Sequence, residues 1–176
     1  PMLPIKRAAV LGAGVMGAQI AAHMASAGIP VYLYDLASDQ GKKNQIAEQG
    51  RQRLTKLKPP PLAAKSVLDG IQAMSFDGDL EKLAHCDLII EAVAERMEIK
   101  RDLYTKIIPH LSERTIFASN TSGLSITELA STLPEKSKSR FCGIHFFNPP
   151  RYMHLVELIP HTKTDESLLD QLEDFL

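Results

Sequence analysis

Three glycines near the start of the chain have the spacing of a phosphate-binding turn. Residues 12–17 read G-A-G-V-M-G, which places Gly12, Gly14 and Gly17 in the pattern G-x-G-x-x-G. The pattern predicts a tight bend at the first glycine, backbone approach to a pyrophosphate at the second and close helix packing at the third. The helix that begins there would direct unpaired N–H groups at the phosphates. The alternative is a structural strand-to-helix turn without a ligand.

The carboxylate of Asp35 lies 23 residues after Gly12, at the end of a predicted second strand. An acidic residue about 20 residues after the glycine turn accepts hydrogen bonds from the ribose of an adenine dinucleotide. The same charge repels a 2′-phosphate, and Leu36 and Ala37 supply no arginine that would compensate for it. These residues predict NAD, rather than NADP, as the cofactor.

Two later stretches, S-N-T-S at 119–122 and G-I-H-F-F-N-P-P at 143–150, hold the candidate catalytic groups. His145 is predicted at a strand end, where open α/β sheets bind ligands, and an imidazole suits general-base chemistry near neutral pH. Glu157 lies between apolar neighbours in the next predicted strand, where a carboxylate needs a partner. An imidazole would suit it, as in other His–acid pairs. The alternative for His145 is a structural histidine.

Hydrophobic patterning places these groups on alternating strands and helices. Ser38 is predicted to cap the second helix, and the prolines at 59–61 to end it. This alternation predicts an α/β fold, a Rossmann-like doubly wound, mostly parallel sheet with helices on both faces, over residues 1–176. The predicted strands are 5–11, 30–34, 71–75, 87–93, 115–119, 140–145 and 154–159, and the predicted helices are 15–27, 38–57, 97–111, 125–131 and 165–176.

Composition excludes several classes of function. The chain has 20 Lys and Arg residues and 21 Asp and Glu residues, which gives a net charge of -1. Nucleic-acid binding needs a basic excess, so this balance argues against that function. Cys86 and Cys142 alone support neither a disulfide framework nor a cysteine-based metal site. The apolar stretch after Lys6 and Arg7 is interrupted by glycines and polar residues, so we expect neither a signal peptide nor a membrane span. We expect a cytoplasmic protein without a metal.

Together these residues resemble the NAD-binding domain of the 3-hydroxyacyl-CoA dehydrogenase family, and the resemblance runs along nearly the whole chain. Its motifs are the glycine turn, E-A-V-A-E at 91–95 with Lys100, A-S-N-T-S at 118–122, and H-F-F-N-P at 145–149 followed by L-V-E at 155–157.

The resemblance implies NAD-dependent oxidation of an (S)-3-hydroxyacyl-CoA to a 3-oxoacyl-CoA, a step of fatty acid β-oxidation. It implies that His145 is the general base and Glu157 its orienting partner. Ser122 and Asn148 would hydrogen-bond the substrate oxygen or the nicotinamide end. Further NAD-binding residues implied by the family are Met16, Asp35, Val93, Ala94, Glu95, Lys100 and Asn120.

Two charged features have a structural interpretation besides the binding role that the resemblance implies. Glu95 and Lys100 would otherwise form an exposed ion pair at a helix start, worth about 0.3–0.5 kcal/mol. Residues 42–65 are rich in Lys and Arg, with Glu48 the only acid. Because the family's acyl-CoA lies near this helix, these charges either meet the CoA phosphates or form a solvated helix face.

Members of the family also carry a helical C-terminal domain, absent from this chain, that closes the substrate cleft and forms the dimer interface. We therefore expect a full-length enzyme that is a homodimer or part of a multifunctional complex, and an isolated domain that binds NAD with little turnover. One rival function is a small β-hydroxyacid dehydrogenase, a group that uses a lysine base and lacks H-F-F-N-P. The other is a non-catalytic NAD-binding or structural module.

Overall fold

The computed structural model describes residues 4–56, 64–121, 124–146, 156–161 and 163–175. Within them, seven strands form one sheet. The strands are β1 (Ala8–Leu11), β2 (Val31–Asp35), β3 (Ile71–Ser75), β4 (Leu88–Glu91), β5 (Ile116–Ser119), β6 (Phe141–Phe146) and β7 (Val156–Ile159).

The strand order across the sheet is β3-β2-β1-β4-β5-β6-β7. The first six strands are parallel, and β7 pairs antiparallel with β6. The order reverses between β1 and β4, and a doubly wound sheet binds its ligand in the crevice at such a switch point. The predicted Rossmann-like fold is confirmed.

Helices cover both faces of the sheet. The helices are α1 (Val15–Ser26), α2 (Gln45–Arg53), α3 (Ala64–Asp69), α4 (Met97–Ile107), α5 (Ile126–Ser131), α6 (Glu135–Lys138) and α7 (Glu166–Phe175). Short 3-10 helices span Leu54–Lys56, Leu80–His85 and Ile108–His110. Sequence patterning did not predict α3, α6 or the 3-10 helix after β3, because each is too short to cover two turns of the α-helical period.

Alternate residues of the central strands pack into two separate cores. On β1, Ala8 and Val10 join the core beneath α1, whereas Ala9 and Leu11 join the core beneath α4. All four are fully buried, as expected for a parallel sheet covered on both faces. This double burial explains why these strands read as continuous apolar runs in the sequence.

The prediction of a helix from Ser38 to position 57 is wrong at its start, although a helix does occupy the second half of that range. The Ser38 hydroxyl bonds the backbone of Gln40 within a polar turn, and Gly41 follows with a φ of +80°. A serine hydroxyl that bonds its local backbone competes with helix formation. Helix α2 instead begins after Asn44 and continues into the 3-10 turn. The prolines at 59–61 lie outside the described residues.

The described residues offer neither a candidate membrane span nor a candidate metal-binding cluster. In those segments, no helix is long and apolar enough to cross a membrane. Over the same ranges, no group of three or more His, Cys, Asp or Glu side chains is arranged to hold a metal ion.

Candidate cofactor-binding and active site

The glycine turn joins the end of β1 to the first turn of α1. Gly12 has a φ of +109°, in the left-handed region that favours glycine, and a Cβ there would lie 2.6 Å from the Ala92 carbonyl oxygen. A Cβ on Gly17 would collide with the Gly12 carbonyl oxygen. The first and third glycines therefore allow the tight turn and the close helix packing that the sequence pattern requires.

Gly14 differs because the space beside it is open. A Cβ there would meet no atom within 4 Å, although the residue immediately precedes α1. The first N–H groups of a helix have no intrahelical partner, and α1 begins at the residue after this open position. The turn thus has the room and the donors that a dinucleotide pyrophosphate needs. This is the position that the sequence assigns to backbone approach.

The carboxylate of Asp35, at the end of β2, contacts the glycine turn directly. Its Oδ2 accepts a hydrogen bond from the Ala13 N–H at 2.7 Å, and its Oδ1 accepts one from the Leu36 N–H at 2.7 Å. Asp35 is partly exposed, so it lies beside the glycine turn and faces solvent as well. This is the placement expected of a ribose-binding acid, and the ribose contact itself stays a prediction.

Helix α2 closes the other side of the turn through two residues that the sequence analysis did not single out. A Cβ on Gly50 would collide with the Ala13 carbonyl oxygen, so the helix approaches the turn closely only because position 50 is glycine. Arg53 donates from Nη2 to that same oxygen at 2.8 Å. No sequence pattern indicates that these two residues contact the glycine turn, because the contact depends on how α2 packs against it.

The end of β4 holds a buried carboxylate, Glu91. Its side chain is fully buried and is bonded by the Lys100 ammonium (Nζ to Oε2, 2.5 Å), the Tyr104 hydroxyl and the Ser119 hydroxyl. Burial, with the neighbouring Glu91 charge, holds the pKa of Tyr104 well above its usual range, so its hydroxyl stays protonated and donates. In the sequence, Glu91 is the one charged residue within the apolar run at 88–93, and nothing there indicates its partners.

The alternative of Glu95 and Lys100 as an exposed ion pair is wrong for the lysine. Lys100 is fully buried on α4, and its Nζ lies 3.4 Å from Glu95 Oε2. The Glu95 side chain is 41% exposed and accepts a hydrogen bond from the Thr121 hydroxyl at 2.9 Å. The pair joins the α4 side of the site to the end of β5.

The other residues implied as NAD-binding lie along the same edge of the sheet. Met16 is half-buried in the first turn of α1. Val93 and Ala94 follow β4, the first half-buried and the second exposed. Asn120 follows β5, and its N–H donates to the Glu91 carbonyl oxygen at 2.7 Å. Their contacts with a cofactor remain predictions.

His145 is the next-to-last residue of β6, at the carboxyl edge that carries the glycine turn. Its Cα position pairs with Glu157 across the antiparallel β6–β7 ladder. The neighbouring Phe146 N–H donates to Asn120 Oδ1 at 3.2 Å, which joins the β6 end to the loop after β5. The structure thus brings together the backbone positions of the proposed base and its partner. Ser122 and Asn148 lie outside the described residues.

The basic segment divides into residues with different tasks. Arg51 donates from Nε to the Leu68 and Ile71 carbonyl oxygens and pairs with Glu48, so its guanidinium serves the packing of α2. Arg53 and Lys56 instead line a cavity of about 200 Å³ between α1 and α2. Its other lining residues are Val15, Ala18, Gln19, Gly50 and Leu54.

A parallel sheet with this strand order, a glycine turn after β1 and an acid after β2 define a dinucleotide-binding Rossmann domain. The chain belongs to the family described as "3-hydroxyacyl-CoA dehydrogenase, NAD binding domain", whose model matches residues 7–176. The cofactor of this domain is therefore NAD.

Named relatives agree with the family. The chain is 44% identical over 173 residues to a putative fatty acid oxidation complex trifunctional enzyme of Rickettsia felis, covering 98% of the chain and 24% of the relative. It is 40% identical over 174 residues to a probable 3-hydroxyacyl-CoA dehydrogenase of Deinococcus radiodurans, covering 98% of the chain and 50% of the relative. The chain thus spans half or less of the length of these two relatives.

Solved structures share the fold as well. The crystal structure of 3-hydroxybutyryl-CoA dehydrogenase from Escherichia coli K12 superposes with a TM-score of 0.81 at 31% sequence identity. The superposition covers 98% of this chain and 36% of that one.

Proposed function

We propose that this chain is the NAD-binding part of an enzyme that oxidises (S)-3-hydroxyacyl-CoA to 3-oxoacyl-CoA, with His145 as general base and Glu157 as its orienting partner. The observation that carries the proposal is the register of β6 and β7, which pairs these two residues at the carboxyl edge of the sheet. Directly opposed residues on antiparallel strands are the ones whose side chains interact.

The chemistry requires a base because two hydrogens leave the substrate in different forms. NAD, when bound, supplies the acceptor for a hydride from C3. The proton of the 3-hydroxyl passes to the His145 imidazole as the C3–O bond becomes a carbonyl. A carboxylate beside the ring stabilises the imidazolium that forms.

The CoA part of the substrate has a candidate location at the cavity between α1 and α2. Arg53 and Lys56 place positive charge on its border, and Val15, Ala18 and Leu54 supply apolar lining. Cationic donors suit phosphate groups, and the apolar lining suits the pantetheine chain. This supports the CoA interpretation of the basic segment for Lys56 and for Arg53, which borders the cavity although its Nη2 also bonds the Ala13 carbonyl oxygen. Arg51 does not line the cavity, and its guanidinium is engaged by α2, α3 and β3.

We also propose that the full-length enzyme works as a homodimer or within a multifunctional complex. The proposal is supported by the Rickettsia felis relative, which is described as trifunctional and of which this chain matches only a part.

The test is a His145→Gln variant in a version of the protein that carries a C-terminal helical domain. We expect turnover of acetoacetyl-CoA with NADH to fall about 10²–10⁴-fold, because the proton transfer loses its catalyst, while NADH affinity is unchanged. The matched control is His85→Gln, which removes an exposed histidine from the 3-10 helix before β4.

Undiminished turnover by the His145→Gln variant would remove this residue from the mechanism. Turnover of free hydroxy acids, with none of acetoacetyl-CoA, would favour a small β-hydroxyacid dehydrogenase. NADH binding without turnover of either substrate class would favour a non-catalytic module.

A further inference from the structure

The carboxylate of Glu91 is buried inside the domain, and four neighbouring groups donate hydrogen bonds to it. Its Oε1 accepts from the Tyr104 hydroxyl at 2.5 Å and the Ser119 hydroxyl at 2.6 Å. Its Oε2 accepts from Lys100 Nζ at 2.5 Å and the Val93 N–H at 2.9 Å. Because all four neighbours donate, the Glu91 side chain acts only as an acceptor, as an ionised carboxylate does.

These donors come from three segments that meet at the carboxyl edge of the sheet. Val93 belongs to the loop after β4, Lys100 and Tyr104 to α4, and Ser119 to the end of β5. The Glu91 backbone carbonyl also accepts from the Asn120 N–H at 2.7 Å. One residue therefore connects both loops that follow the central strands β4 and β5.

Fold stability alone is a weak explanation for this cluster. Removing two charges from water carries a desolvation penalty that a buried ion pair often only offsets, and apolar replacements are often as stable. What such a pair does achieve is a fixed geometry, because each charge has one place where it is satisfied.

The fixed geometry lies next to side chains implied in cofactor binding. Lys100 Nζ is held between Glu91 and Glu95, and Glu95 in turn accepts from the Thr121 hydroxyl. A loss of the Glu91 charge would leave the buried Lys100 with Glu95, which is more distant and partly exposed, as its remaining ion-pair partner among the described residues.

We propose that Glu91 is a positioning residue of the NAD site. It holds Lys100, and through it Glu95, in the arrangement that receives the cofactor, and it fixes the loops after β4 and β5 at the same time. The proposal rests on the cofactor contacts implied for Glu95 and Lys100 and does not depend on the catalytic role of His145.

The test compares Glu91→Gln with Thr115→Val in the 176-residue chain. Thr115 is also buried and bonds the Cys86 carbonyl oxygen at 3.0 Å, but it precedes β5, at the opposite edge of the sheet. The readouts are urea unfolding and the Kd for NADH, obtained from the change in the cofactor's own fluorescence on binding.

We expect Glu91→Gln to raise the Kd for NADH about tenfold, which is the loss of affinity expected when one charged contact is misaligned. Thr115→Val should lower the free energy of unfolding and leave the Kd unchanged. Without cofactor, amide hydrogen exchange should accelerate at residues 92–96 and 119–121 in Glu91→Gln only. A Kd within twofold of the parent chain, or an equal rise in both variants, overturns the proposal.

A double-mutant cycle with Lys100→Met tests whether Glu91 acts through the lysine. We expect Glu91→Gln to raise the Kd several-fold less in the Lys100→Met background than in the parent chain. Equal effects in both backgrounds show that Glu91 does not act through Lys100 and contradict the proposed route.

If Glu91→Gln does not fold, Ser119→Ala decides the question, since it removes one donor and keeps both charges. We expect about a threefold rise in Kd, with faster exchange at 92–96, because a loosened carboxylate loosens its other contacts. An unchanged Kd and unchanged exchange at 92–96 overturn the proposal. The exchange measurements need neither catalysis nor NADH, so they test the role of Glu91 even if the proposed reaction is wrong.

Discussion

Asp35 shows how much a single residue's role follows from type and spacing. Its place after the second strand and its distance from the glycine turn predict a carboxylate beside that turn, and the structure has it 2.7 Å from the Ala13 N–H. Glu91 shows the opposite case. Its partners lie up to 28 residues away on other elements, so no local pattern reveals them.

An Asp35→Ala variant should bind NADH at least about tenfold more weakly, because the ribose hydroxyls lose a charged acceptor. Its preference for NADH over NADPH should also shrink, since the charge that repels a 2′-phosphate is gone. Calorimetric titration of both cofactors measures this. Asp39→Ala, which removes an exposed acid from the loop that follows β2, is the control. Equal NADH affinity in Asp35→Ala would count against the ribose contact.

At the scale of elements, buried strands were predicted well and the polar helix poorly. Strand β3 matches its prediction of 71–75 residue for residue. Helix α2 is 9 residues long and mostly polar, so the spacing of apolar residues does not indicate where it begins. Ser38 was a plausible cap by residue type, but its hydroxyl is used by the turn before the helix.

The two glycines at the start of α1 should respond differently to the same substitution. Gly14→Ala has open space and a φ of -70°, so it should fold normally and bind NADH more weakly, because the methyl group occupies the space for the phosphates. Gly17→Ala should lose about 1–3 kcal/mol or more of unfolding free energy, since its methyl group meets the Gly12 carbonyl oxygen. Urea unfolding and NADH titration of both variants distinguish them. Equal loss of stability would contradict the separation of roles.

At the scale of the whole molecule, the alternation of strands and helices was enough to predict the class of fold. The direction of β7 was not predicted, because residue patterning in a short strand is the same for parallel and antiparallel pairing. The pairing of positions 145 and 157 depends on that direction. The residue types and the family resemblance suggested this partnership, whereas its backbone geometry comes only from the assembled sheet.

Both cysteines belong to the interior of the molecule. Burial raises the pKa of Cys86 and of Cys142 to about 12, so the reactive thiolate is scarce in the folded chain. We expect no reaction with a disulfide reagent such as DTNB at pH 8 in the native state, and release of two equivalents in urea. Rapid labelling of either thiol in the native protein would contradict the observed burial.

The contacts of Ala13 limit where a dinucleotide is able to sit. Its N–H is engaged by Asp35 and its carbonyl oxygen by Arg53, so both polar atoms of this residue are already committed to the protein. The candidate backbone donors for an incoming anion are therefore the N–H groups from Gly14 onward. Asp35, from β2, and Arg53, from α2, thus fix which part of the turn is left for a phosphate before any ligand binds.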